Sequence, residues 1–156
     1  MRNQKGFTLI EILLSLAVAA MLFVALSSFF FLTLQAKAKS RAIAAVEQSG
    51  LQILTTLTQT IRDSQTFSAQ SSVLTLDMET FQLVGSDLRV TQNGTSVDLN
   101  PDRVTVANLN FQDLSRSGAS GLIRIELTLT YQNPENRTEF DYTKNFISSA
   151  ALRTLN

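Results

Sequence analysis

The chain has 156 residues, enough for one domain and an appendage, and its 13 basic and 13 acidic side chains cancel to a net charge of zero. That balance gives no sign of a surface for a polyanion, so nucleic acid is not indicated as a partner. Cysteine and histidine are both absent, which removes disulfides, thiol chemistry, the commonest general base and the commonest transition-metal ligand. No cofactor is called for, and the chain reads as non-enzymatic.

The N-terminus is short and basic, Met1-Arg2-Asn3-Gln4-Lys5-Gly6, and is followed by Phe7-Thr8-Leu9-Ile10-Glu11 and a charge-free run from Ile12 to Ala36. A bilayer core of about 30 Å needs about 20 apolar helical residues, so this run is long enough to span. Glycine and proline are missing from Phe7 to Ser49, so nothing interrupts a helix there. Arg2 and Lys5 before the span favour a cytoplasmic N-terminus, but Lys37, Lys39 and Arg41 follow it, and charge alone leaves orientation open. A cleaved secretory signal is one alternative, with Ala17-Val18-Ala19 as a small-x-small site, yet the apolar run continues well past it. An ordinary single-span anchor and a buried core helix are the other two.

Glu11 separates these readings. A carboxylate at the centre of a bilayer costs on the order of 2.5–3.5 kcal/mol by insertion scales, and less near the edge, where Glu11 sits. No Lys or Arg lies within helical reach on its outer side. A free α-amino group at Phe7 would supply the missing cation. Otherwise Glu11 snorkels to the headgroups.

The segment Lys5-Gly6-Phe7-Thr8-Leu9-Ile10-Glu11, with the apolar run behind it, resembles the processing and methylation motif of type IV prepilins and type II secretion pseudopilins. The likeness is close over residues 1–34 and extends to the remainder only in general plan. It implies cleavage by a prepilin peptidase between Gly6 and Phe7 and N-methylation at Phe7 by the same enzyme. It implies a charge pair between Glu11 of one subunit and the Phe7 ammonium of its neighbour. Other pilin or pseudopilin subunits, an inner-membrane assembly platform and, before assembly, membrane lipid are the implied partners. The location implied is the cytoplasmic (inner) membrane, single-pass with the N-terminus cytoplasmic and the C-terminal domain extracytoplasmic, and then a pilus or pseudopilus filament. Many pilins carry a proline in the apolar helix; none lies between Met21 and Gln35 here, which points to a minor subunit.

Beyond the span, Ile43, Val46, Gly50, Ile53, Leu57 and Ile61 recur at spacings of three and four, an amphipathic stripe for packing on a domain. Gly50 inside it permits a bend or a close sheet contact, and a break into two helices there is the alternative. A helix from Phe7 to Ser64 would measure about 87 Å at about 1.5 Å per residue. From residue 65 the period changes to two, in Leu74–Met78, Phe81–Leu83, Leu88–Val90 and Val97–Leu99. Asn93-Gly94 marks a two-residue hairpin. Further strands are expected at Val104–Phe111, Leu122–Tyr131 and about Thr138–Ile147, with a loop at Ser115–Gly121 and a turn at Asn133-Pro134-Glu135-Asn136.

The fold class expected is therefore α+β. A long N-terminal helix packs on six or seven antiparallel strands, as a meander in one sheet or two small ones. The divisions are a leader at 1–6, a transmembrane and assembly helix at 7–36, an amphipathic continuation at 37–64 and an extracytoplasmic β domain at 65–156. Asp98, Asn100 and Asp102 place oxygen ligands at i, i+2 and i+4, as a calcium loop begins, but Arg103 stands where such a loop needs glycine and Leu109 where it needs glutamate. A turn explains them more simply. Glu135, Glu139 and Asp141 near Arg137 and Lys144 read as a solvated strand face. Asn93-Gly94-Thr95 and Asn136-Arg137-Thr138 match the glycosylation acceptor form, which arises often by chance. The function expected is that of a filament subunit, with a solitary membrane-anchored extracytoplasmic binding protein as the alternative.

Overall fold

A computed structural model of the chain describes residues 8–116, 121–133 and 140–153. Over these it is α+β: one helix, α1 (Leu9–Asp63), then strands β1 (Phe67–Gln70), β2 (Val73–Leu76), β3 (Glu79–Val84), β4 (Asp87–Gln92), β5 (Thr95–Asp98), β6 (Val104–Asp113), β7 (Leu122–Tyr131) and β8 (Thr143–Ala151). The chain divides into two compact units, one up to Ala38 and one from Lys39.

In the first unit α1 opens at Thr8, whose carbonyl accepts from the N–H groups of Glu11 (3.1 Å) and Ile12 (3.3 Å). The helix runs unbroken because no residue between Leu9 and Ala38 lacks an N–H or favours another backbone conformation strongly enough to stop it. It buries none of its large apolar side chains; Leu9, Met21 and Phe23 stay more than 70% exposed.

In the second unit α1 continues and becomes amphipathic. Ala42, Val46, Ser49, Gly50, Ile53, Leu57 and Ile61 are buried at helical spacing. The stripe begins at Ala42 rather than Ile43, which is half-buried; Ala42 lies four residues before Val46 and so on the same face of the helix. The helix does not break at Gly50. Instead Gly50 passes so close to β8 that a side-chain carbon there would overlap the Phe146 ring. The glycine therefore makes a close sheet contact.

The strands form two antiparallel meanders, β1-β2-β3-β4-β5 and β6-β7-β8. Asn93 (φ 50°) and Gly94 (φ 80°) are both left-handed and close the β4–β5 hairpin, as the Asn-Gly pair predicts. β6 buries Val104 and Val106, then Leu109 and Phe111; a bulge between Val106 and Asn108 shifts the parity so that all four face inward. β7 alternates regularly, with Ile123, Ile125, Leu127 and Leu129 buried. The sheets join where the Phe111 N–H donates to the Ser71 carbonyl at 2.6 Å and the Val106 N–H to the Ser86 carbonyl at 2.8 Å. Ser71 takes a left-handed φ of 46° to present that carbonyl. The inner faces of both sheets and the stripe of α1 share one hydrophobic core.

Two strands differ from the sequence expectation. β1 was not foreseen: Phe67-Ser68-Ala69-Gln70 has only two apolar residues, and it forms because the chain turns back to pair with Val73–Leu76. β8 lies at Thr143–Ala151 instead of about Thr138–Ile147, since pairing with β7 from Thr130 to Leu122 sets its extent. Its second half, Ser148-Ser149-Ala150-Ala151, has low strand propensity and is recruited by that ladder. Met78 also departs from the β2 alternation and lies 76% exposed at the bend after the strand.

Candidate functional site

The first unit of α1 has the chemistry of a membrane segment. Four of its hydroxyl side chains bond back one turn: Ser15 to the Glu11 carbonyl (2.7 Å), Ser27 to Phe23 (2.8 Å), Ser28 to Val24 (3.0 Å) and Thr33 to Phe29 (2.9 Å). Each hydroxyl proton thus has an acceptor inside the helix and needs no water, which a lipid environment demands. The helix is long and apolar enough to cross a bilayer. Glu11 stands in its first turn, exposed, and among the described residues no cation is paired with it. A carboxylate in the first turn is well placed against the helix dipole. Gly6 and Phe7, the cleavage and methylation positions expected from sequence, lie outside the described residues.

In the second unit the sequence-selected oxygen ligands are divided between two tasks. Asp98 forms a two-bond pair with Arg89 across the β4–β5 ladder, at 2.7 and 3.2 Å. Hydrogen bonding to the guanidinium holds its carboxyl below the ordinary range, and the same bond raises Arg89. Asn100 is buried and turns inward. Its Oδ1 accepts from the Leu88 N–H (2.8 Å), and its Nδ2 donates to Asp87 (2.9 Å) and to the Val104 carbonyl (2.7 Å). It fastens the β5–β6 turn to the start of β4. Asp102 is exposed. The structure thus does not bring Asp98, Asn100 and Asp102 together around one point, and among the described residues no group of three carboxylates, histidines or cysteines could hold a metal ion.

Of the acidic cluster, Glu135, Glu139 and Arg137 lie outside the described residues. Lys144 is described and pairs with Glu47 of α1, an ion pair that ties helix to β8 and raises the lysine above its usual value. The Tyr142 hydroxyl reaches the same carboxylate at 3.4 Å. Asn93-Gly94-Thr95 lies on the β4–β5 turn, and Asn136 lies outside the described residues. Sequence reasoning missed Asp77. Its carboxylate accepts the Thr66 hydroxyl (2.5 Å) and the N–H groups of Gln65 and Thr66 (both 2.8 Å), so it catches the chain as it leaves α1. Those bonds, the hydroxyl's first, hold it below the ordinary carboxylate range. No local pattern announces this contact, because Asp77 acts on residues 11 and 12 positions away.

An exposed apolar helix long enough to cross a bilayer thus continues into the packing spine of an antiparallel β domain. Residues 1–27 match the family model of the prokaryotic N-terminal methylation motif, the signature of type IV pilins and pseudopilins. The N-terminal stretch of the chain is thus similar to that of type IV pilins and pseudopilins, a motif that marks substrates of prepilin peptidase. Neither the curated proteins nor the solved structures provide a match.

Proposed function

We propose that the chain is a minor pilin or pseudopilin. Prepilin peptidase cuts it between Gly6 and Phe7 and N-methylates Phe7, leaving residues 7–36 as the transmembrane and assembly helix and the β domain outside the membrane. The observation that carries this reading is a single carboxylate, Glu11, in the first turn of α1, ahead of an exposed run that holds no charge from Ile12 to Ala36, at an N-terminus that matches the methylation motif. Glu11 meets the Phe7 ammonium of the neighbouring subunit and sets axial register. Removing one partner of a buried pair costs about 3–5 kcal/mol, so the pair penalises every other register more than it stabilises the filament. Successive subunits make a heterologous, non-closing contact, which generates a helical assembly. Residues 37–64 continue the helix as the spine of the extracytoplasmic domain at 65–156.

Mass analysis of the mature chain tests the processing step. A chain beginning at N-methyl-Phe7 is expected; an intact leader on the working protein would sink the proposal. Glu11→Ala is expected to be cleaved at the wild-type rate and to lose incorporation into filaments. Normal incorporation would show that register is set elsewhere.

A further inference from the structure

We infer that the outer edge of β8 is a docking site for an extended, uncharged polypeptide segment of a partner protein, which adds to the three-stranded sheet as a further strand. The hydrogen bonding to β7 fixes which groups are free. Tyr131 donates to the Tyr142 carbonyl and Leu152 to the Gly121 carbonyl, at 2.9 Å each. Hydrogen-bonded partners in an antiparallel pair recur at every second residue. Lys144, Phe146, Ser148 and Ala150 therefore turn their backbone groups toward β7. Thr143, Asn145, Ile147, Ser149 and Ala151 turn theirs to the open edge, ten N–H and C=O groups with no hydrogen-bond partner among the described residues.

Native edges are usually shielded by shortness, charge, proline or a bulge. β5, the far edge of the other sheet, is shielded: it is 4 residues long, only Ser96 and Asp98 face outward, and Asp98 holds Arg89. β8 has none of these devices over its 9 residues. Its one charged side chain, Lys144, points to the inner side and is engaged by Glu47. The five outward residues carry no charge, and the central one, Ile147, is 57% exposed. A row of evenly alternating donors and acceptors is matched by an extended strand and by little else. The uncharged face selects a segment without charges at the facing positions, and Ile147 selects a small or apolar residue opposite it.

A second copy of the chain fits less well. Antiparallel self-pairing of β8 needs a two-fold axis normal to the sheet, which turns the packed part of α1 end for end. Two copies anchored in one membrane by the same end cannot pair so; this exclusion alone rests on the anchoring proposed above.

Amide hydrogen exchange of the full chain in detergent micelles tests the inference, with the synthetic peptide (Thr-Val)4-Thr as probe. On addition of the peptide, exchange at residues 143, 145, 147, 149 and 151 is expected to slow at least tenfold, while residues 144, 146, 148 and 150, already bonded to β7, keep their rates. Ile147→Pro removes an outward N–H without touching the β7 ladder and is expected to abolish the slowing. Ile147→Lys, which puts a charge on the edge and leaves the backbone intact, is expected to do the same. Absence of slowing at saturating peptide overturns the inference, as does unchanged slowing in Ile147→Lys. Slowing that appears without peptide and grows with chain concentration also overturns it, in favour of self-pairing.

Discussion

The two stretches of α1 share one backbone conformation and face different surroundings. From Ile12 to Ala36 the helix is uncharged on every side and buries nothing of its own; from Lys39 it is apolar on one side and buries a stripe under two sheets. Burial of a Val, Leu or Ile side chain contributes about 1.5–3 kcal/mol, so residues such as Val46, Ile53 and Leu57 hold the domain together. Leucines in the first stretch are of the same chemical type and add nothing to that core. What separates them is position along the helix, not identity: only the second stretch has a sheet to pack against.

The sharpest way to break this contrast is to make the same substitution in both stretches. Leu57→Ala is expected to lower the unfolding free energy of the β domain by about 2–5 kcal/mol, through lost transfer energy and the cavity left behind. Leu22→Ala is expected to change it by less than about 0.5 kcal/mol, while reducing membrane partitioning. Denaturant unfolding followed by circular dichroism in detergent measures both. A comparable loss from Leu22→Ala would mean that the apolar stretch packs on the domain after all.

The next largest effect probes how close the second stretch lies to its sheet. A methyl group at Gly50 meets the Phe146 ring. Gly50→Ala is expected to destabilise the domain by about 1–3 kcal/mol by overpacking, despite the better helix propensity of alanine. In a Phe146→Ala background the same change should become neutral or favourable, because the clash is gone and propensity remains. Equal cost in both backgrounds would show that Phe146 is not the obstacle. Asn100→Ala is expected to cost about 1–3 kcal/mol, since it leaves the Leu88 N–H and Val104 carbonyl without their buried partner. Because the Asn100 oxygen is already engaged, calcium should not shift the melting temperature; a clear rise would restore the metal-loop reading.

How far the sequence could be read follows the same division. The apolar stretch was legible from composition, and the methylation motif from a few adjacent residues. The amphipathic stretch was legible from periodicity, to within one residue at Ala42 and Ile43. β7 and the Asn93-Gly94 hairpin were legible because their signals are local. β8 was legible only over Thr143–Ile147, as its Ser148–Ala151 half pairs only because β7 is already there. Asn100 was not legible: it was read with its chain neighbours Asp98 and Asp102, while its partners are Leu88, Asp87 and Val104. The Gly50 contact was legible only as one of two options, because the ring it meets lies nearly a hundred residues on. Local chemistry shows in a sequence; the choice among distant partners is made by the fold.

The smallest effect concerns the point where the amphipathic stretch ends. Asp77 ties down Gln65 and Thr66, and its folded-state pKa is lowered from 3.8. A group whose pKa is depressed on folding contributes stability that is present above its unfolded value and is lost as pH falls through the folded one. The contribution of Asp77 is therefore complete at neutral pH and fades below the ordinary value of 3.8. Asp77 is fully exposed and water screens its bonds, so the effect will be modest. Melting temperatures of the wild type and Asp77→Asn should differ most near pH 7 and converge as the pH falls well below 3.8. Asparagine keeps one oxygen acceptor but not the charge, so the difference isolates the charge-assisted part of the clamp. Parallel curves down to pH 2 would mean that the loop after α1 is held by the β1–β2 pairing alone.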